Sequence, residues 1–146
     1  MFVASCWQGG GKLLSSTVKR LVEELIETHG TSDPLTIIEN LDIHLDYIPL
    51  STKGVCVVAE GIPIIIINEE YRYHPQHSFI LAHELYHAIQ HHFYEEYYYA
   101  VKDKAEYQAD RFAYLLLSHG HEYDNEYDMV RELGIPYEFA DRNWKE

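Results

Sequence analysis

The sequence predicts an α+β domain in which a small, mainly antiparallel three-stranded sheet packs against helices. Apolar residues first repeat at helical spacing, then alternate in short runs between Ile43 and Ile67, and return to helical spacing after Asn68. Helices and strands grouped in separate blocks are typical of this class. A chain of 146 residues can bury the core of one ordinary domain. We therefore expect a disordered, glycine-rich lead-in over residues 1–14 and a single domain over 15–146.

Two helices are expected before the sheet. The first begins after an N-cap at Ser15 or Ser16 and ends before Gly30, a residue well suited to the position after a helix. Its apolar residues lie on one face: Val18, Leu21, Val22, Leu25 and Ile26. The second helix is short and starts with Pro34 at its first position.

Three short strands follow. The first alternates apolar and polar residues and ends at Pro49, and the next two cover 54–59 and 62–67 with a turn at Glu60-Gly61 between them. Pro63 has no N–H to donate, so it belongs at the start of a strand or on an edge. The isoleucine run is apolar on both faces, which predicts helices packed against at least part of it.

Two long helices are expected after the sheet, at about 74–92 and 100–118, and two shorter ones follow. A link rich in tyrosine and glutamate separates the long pair, Gly120 closes the second, and Gly134-Ile-Pro136 separates the short pair.

The chain is strongly acidic, with 24 acidic and 11 basic residues and a formal net charge of −13. Because this charge repels phosphate backbones, we expect no direct binding to nucleic acid. A basic protein or a metal cation matches the charge better. Cys6 and Cys56 form neither a disulfide framework nor a CxxC pair, which favours the reducing cytoplasm. The longest apolar run is strand-sized, so no membrane span is expected.

The sequence "HELYH" at 83–87 has the HExxH pattern of zinc peptidases. On a helix, His83 and His87 lie about 6 Å apart along the axis and about 40° apart in direction, so both rings can reach one metal ion. Glu84 points about 100° away from His83, which leaves its carboxylate beside the metal, within reach of a water molecule. Ten histidines allow a chance match, so the rest of the site must support the motif.

The next long helix offers the missing ligand. In "KAEYQADRFAYLLL", Glu106 and Asp110 are four residues apart and share a face. Glu106 can complete a His2Glu set, and Asp110 can accept the N–H of a ligand histidine. The small side chains of Ala105, Ala109 and Ala113 permit a close approach between the helices.

Together the two motifs resemble the ImmA/IrrE family of gluzincin-type metallopeptidases, which carry HExxH on one helix and Glu-xx-Ala-Asp/Asn-x-Phe-Ala on the next. The strand "IPIIIIN" ending at Asn68, Ala82 before the motif, and His91 after it match the family as well. The resemblance covers about 35–117. Tyr86 is a departure, because these proteins usually have glycine there; its ring could narrow the cleft or donate a hydrogen bond.

The resemblance implies a zincin-like fold, with an HExxH helix, a second ligand helix and one Zn²⁺ held by His83, His87 and Glu106. It implies that Glu84 is the general base and that the protein is a zinc endopeptidase. Family members are often encoded on phages or mobile elements and cleave or antagonise a helix-turn-helix repressor. The implied partner is therefore an intracellular repressor.

Two details of substrate handling are left open. Oxyanion stabilisation or a substrate contact could come from Tyr86, His91 or the tyrosines of 94–99. A substrate segment could add as a strand to the sheet near 64–67, the β-augmentation mode of peptide recognition.

Two other functions compete with peptidase activity. One is a zincin-like protein that binds and antagonises a repressor without cleaving it, although such a protein has no need of Glu84. The other is a structural metal site, which requires a fourth protein ligand. His91 is the only nearby residue for that role, and it lies one further turn along the helix.

Overall fold

The computed structural model describes residues 18–91, 99–122 and 125–140. Its elements, in chain order, are α1 (Val18–His29), α2 (Pro34–Asn40), β1 (His44–Ile48), β2 (Gly54–Ala59), β3 (Ile62–Asn68), a 3-10 turn (Glu69–Tyr71), α3 (His77–Gln90), α4 (Tyr99–Ser118), α5 (Glu126–Leu133) and α6 (Tyr137–Ala140). The α+β class is confirmed. The predicted lead-in at 1–14, the N-cap serines and the tyrosines of 94–98 lie outside the described residues.

Helix α1 ends, and helix α2 begins, where the sequence predicts. Gly30 follows α1 with a φ of 70°, and its N–H donates to the carbonyl of Ile26 over 2.7 Å. At the start of α2, the Asp33 side chain accepts from the N–H of Thr36, and Pro34 occupies the first turn, where a helix needs no N–H donor.

The sheet has the order β1-β3-β2 and is mixed rather than mainly antiparallel. β2 and β3 form an antiparallel hairpin, whose Glu60 and Gly61 have φ angles of 53° and 79°, typical of a two-residue type I′ turn. β1 instead pairs in parallel with the other edge of β3. The isoleucine-rich strand is the most apolar of the three, so it gains most from the central position, and this separates β1 from β2.

The central position of β3 excludes the predicted addition of a substrate strand beside 64–67. Both edges of Ile64–Ile67 are already paired, one with β1 and one with β2. Pro63 lies at the start of β3, before the pairing with β1 begins at Ile64, as its missing N–H requires. Among the described strands, the edges that can accept a further strand are those of β1 and β2.

Asn68, the last residue of β3, fixes the loop that leads into β2. Its side-chain amide donates to the carbonyls of Leu50 and Thr52, each over 3.1 Å. Its own N–H donates to the carbonyl of Lys53 over 2.8 Å. Buried amides are stabilised by such partners, and the result is a defined path for the chain into Gly54.

Helix α3 is buried on almost every side. It contacts β2 and β3 through one face and α4 through another. Its buried residues are Phe79, Ile80, Leu81, Ala82, Glu84, Leu85, Tyr86, His87, Ala88 and Ile89. Two of them, Glu84 and His87, have side chains that can carry a charge near neutral pH, and they lie inside the core. No helix in the described part of the chain is long and apolar enough to cross a membrane.

Candidate metal centre

The two histidines of the HExxH motif converge, as their spacing predicts. The Nε2 atoms of His83 and His87 lie 3.3 Å apart, with the rings nearly perpendicular at 72°. His87 is 3 % exposed, and the His83 side chain is 16 % exposed. The pair is therefore largely buried, with His83 nearer to solvent.

Glu106 of α4 meets both rings. One carboxylate oxygen is 2.9 Å from His83 Nε2, and the other is 3.2 Å from His87 Nε2. One ligand atom from each of the three residues lies within 4.8 Å of the other two. Two imidazoles and one carboxylate thus converge from two helices, and such a donor set can hold a metal ion.

Asp110 holds His83 from the opposite side of its ring. The Nδ1–H group of His83 donates to Asp110 Oδ1 over 2.8 Å. Because Nδ1 is occupied in this way, Nε2 faces His87 and Glu106. A carboxylate behind a histidine is the arrangement that orients histidine ligands in metal proteins.

Hydrogen bonds between the histidines and carboxylates set the pKa values of this group. Burial alone lowers the pKa of His83, but its hydrogen bonds with Asp110 and Glu106 outweigh burial and raise that pKa to about 10. Burial raises the pKa of Glu106, yet its hydrogen bonds with His83 and His87 prevail and hold it well below its usual range. A carboxylate that stays ionised at neutral pH is suited to bind a cation.

Glu84 lies beside this group and is 6 % exposed. Burial raises the pKa of its carboxyl group, and the charges of His83 and His87 act against that rise. Its neighbour across the core is Gly54, the first residue of β2. A Cβ atom at Gly54 would lie 3.3 Å from Glu84 Cγ, so only glycine leaves the glutamate undisturbed.

The Tyr86 side chain contacts α4. It is 4 % exposed, and its hydroxyl donates to the side-chain oxygen of Gln108 on α4 over 2.8 Å. Burial raises its pKa to about 12, so it remains a neutral phenol. The hydroxyl is thus bonded to Gln108, while a substrate contact of Tyr86 and a ring that narrows the cleft stay predictions.

His91 ends helix α3. It has a left-handed φ of 60°, and its N–H donates back to the carbonyl of Ala88. Its side chain is exposed. It is not among the three residues whose ligand atoms converge in the described part of the chain, which gives no support to a closed structural metal site.

Comparison with known proteins agrees with this geometry. The model of the M78 peptidase family, described as the IrrE N-terminal-like domain, matches residues 38–145. The chain belongs to this family. The match spans the sheet, the HExxH helix and the second ligand helix. Neither the search of curated proteins nor the search of solved structures finds a match.

The roles of two residues around this site were not predicted from the sequence. Gly54 opens a run of strand residues, and a glycine inside a strand pattern can indicate a close approach of other groups. Gln108 gave no comparable signal. It is an ordinary polar residue in a helix, and its role depends on the position of Tyr86 across the interface.

Proposed function

We propose that this chain is a zinc-dependent endopeptidase that cleaves an intracellular protein, a helix-turn-helix repressor of a phage or mobile element. The observation that carries the proposal is the placement of a buried carboxylate, Glu84, beside the three converging ligand groups of His83, His87 and Glu106. Membership of the M78 peptidase family supports the same reaction. The sparse use of cysteine supports action in the cytoplasm.

Zinc is the metal that fits this set best. Nitrogen ligands from two histidines and one carboxylate oxygen are the protein donors of a catalytic zinc site that keeps one position open. When bound there, Zn²⁺ supplies Lewis acidity, which makes water easier to deprotonate and a carbonyl easier to attack. In this arrangement, Asp110 orients His83, and Glu106 adds the negative charge.

Glu84 then performs the proton transfers. As general base it takes a proton from the attacking water, and it can deliver that proton to the leaving amine when the peptide bond breaks. A raised pKa suits this exchange, because a group of intermediate basicity can both accept and return a proton. The burial that raises the pKa also excludes bulk water.

We place the substrate along the edge of β2 that pairs with no other strand among the described residues. That strand begins at Gly54, which lies against Glu84, so a peptide paired with the start of β2 would lie close to the base. Backbone pairing binds an extended segment without demanding a particular sequence. The net charge of −13 favours a basic partner, and proteins that bind DNA present basic surfaces.

The test compares Glu84→Gln with the parent protein. Each is incubated with a candidate repressor, with zinc or with a chelator, and fragments are identified by mass spectrometry. We expect cleavage by the parent with zinc and a loss of roughly a hundredfold or more in the variant. Glu138→Gln, which changes an exposed glutamate, is the matched control and should cleave normally.

The same experiment separates cleavage from simple binding. If Glu84→Gln still removes the repressor from its operator and no fragment forms with either protein, the chain is a non-cleaving antagonist. The peptidase proposal then fails, while the metal site can still be assessed by zinc binding.

A further inference from the structure

Tyr86 and Gln108 connect α3 to α4 through a partly buried hydrogen bond. The hydroxyl of Tyr86 donates to Gln108 Oε1 over 2.8 Å, and the tyrosine ring packs against Phe112 with 5.4 Å between ring centroids. Tyr86 directly precedes the ligand His87, and Gln108 is two residues after the ligand Glu106. The contact therefore joins the two ligand helices at the level of the metal site.

On α4, this contact lies on the flank opposite the ligands. At about 100° per residue, Glu106 and Asp110 are about 40° apart, whereas Gln108 lies about 160° from each of them. Between the two flanks runs a line of alanines: Ala105, Ala109 and Ala113, which are 5 %, 0 % and 0 % exposed.

The alanine line brings the helices close but does little to fix the rotation of α4 about its axis. Methyl groups interlock weakly, because they fill only shallow grooves on the facing helix. A rotation of α4 would carry Glu106 away from His83 and His87. Polar contacts on both flanks oppose rotation in either direction: Asp110 with His83 on one side, and Gln108 with Tyr86 on the other.

We propose that Tyr86, acting through Gln108, is a positioning residue that holds Glu106 in place to bind the metal. The proposal rests on the metal site of the proposed function, and goes beyond it by assigning a role to the residue at which this chain departs from the usual glycine. In this role the tyrosine acts through Gln108 and sets the rotation of the helix that carries the third ligand.

Tyr86→Phe tests this with metal binding alone. The change removes one hydroxyl and keeps the packing against Phe112. We expect the affinity for Zn²⁺, measured by competition with a chromogenic chelator, to fall about tenfold, as when groups behind metal ligands are removed. We also expect the visible absorption of the Co²⁺-loaded protein to shift, because the ligand geometry changes.

Two further variants exclude a general loss of stability. Gln108→Met removes the acceptor, and in the double variant with Tyr86→Phe it should cause no additional loss, since both changes break the same bond. Ile37→Val removes a buried methyl from α2, which carries no ligand, and should leave zinc affinity and the Co²⁺ spectrum unchanged.

The outcomes separate this inference from the proposed function. If Tyr86→Phe binds zinc within twofold of the parent with an identical Co²⁺ spectrum, the positioning role is refuted and the peptidase proposal stands. Additive losses in the double variant, or an equal loss in Ile37→Val, refute it as well. A parent protein that binds no zinc refutes both proposals.

Discussion

Gly54 is where β2 meets the general base proposed on α3. A Cβ atom there would lie 3.2 Å from a methyl carbon of Ile67, 3.2 Å from one of Ile80, and 3.3 Å from Glu84 Cγ. These distances are shorter than comfortable contacts, so a methyl group must displace its neighbours. Two of those neighbours are core residues, and the third is Glu84 itself.

We predict that Gly54→Ala lowers kcat while leaving KM and zinc affinity nearly unchanged. The added methyl displaces Glu84, whereas His83, His87 and Glu106 are not among its closest contacts. Overpacking of this kind costs roughly 1–3 kcal/mol of stability. The measurement is steady-state cleavage together with a chelator competition for zinc.

Ile67→Val in the same protein is the control for Gly54→Ala. It removes the Cδ1 methyl that the new Cβ would meet, and so should recover part of the stability. The contact with Glu84 remains, so kcat should stay low. Full recovery of kcat would show that the loss came from general strain in the core.

Residue spacing was sufficient to predict that His83, His87 and Glu106 converge and that Asp110 supports a histidine, but not the contacts of Tyr86 and Gly54. Positions four apart on one helix converge whatever surrounds them, so His83 with His87, and Glu106 with Asp110, could be paired from the sequence. The direction of the Tyr86 hydroxyl depends on the packing of two helices, and no local pattern encodes it. The same limit applies to the approach of Gly54 to Glu84.

Among the elements, the close packing of α3 on α4 was predictable and the order of the strands was not. The alanines of α4 indicated a close helix contact, and all three are buried in it. Periodicity located each strand and the Glu60-Gly61 turn. It says nothing about neighbours in a sheet, so the insertion of β3 between β1 and β2 was missed, and the sheet was expected to be mainly antiparallel.

The end of α5 packs directly against the start of the HExxH helix. Gly134 ends α5 with a φ of 74°, and a Cβ atom at this position would lie on top of the carbonyl oxygen of Pro75, just before α3. The adjacent Ile135 is fully buried. Glycine thus lets the C-terminal helices close over the entry to α3.

We predict that Gly134→Ala is strongly destabilising. The left-handed backbone at position 134 lowers the free energy of unfolding by about 1 kcal/mol when the residue has a side chain. The overlap of the added Cβ with Pro75 lowers it by roughly 1–3 kcal/mol more, because backbone must move. Gly120→Ala is a matched control, because Gly120 has a φ of 77° with no atom within 4 Å of the added Cβ. Chemical denaturation of both variants should show a clearly larger loss for Gly134→Ala; equal losses would mean that the overlap is relieved without cost.

For the molecule as a whole, the metal site links folding to pH. In the metal-free protein, the pKa of His83 is raised to about 10 from an ordinary 6.5. Between these two pH values, the folded state therefore keeps a proton on His83 that the unfolded state has released. The stabilisation is fully present below about pH 6.5 and is lost as pH rises towards 10. Glu106 has the opposite dependence, because its pKa is lowered: its contribution is present above the ordinary carboxyl pKa and is lost in acid.

Zinc must displace the proton of His83, since a histidine binds a metal only in its neutral form. Between about pH 7 and 9 we therefore predict that zinc binding releases about one proton from His83 and that apparent affinity rises with pH. Calorimetry in buffers of different ionisation enthalpy measures the released protons directly. Asp110→Asn removes a charge that keeps His83 protonated, so it should reduce that release at pH 8. Zinc binding with no proton release in this range would contradict the prediction. It would show that His83 is already neutral before zinc binds, and that its contacts with Asp110 and Glu106 do not keep it protonated.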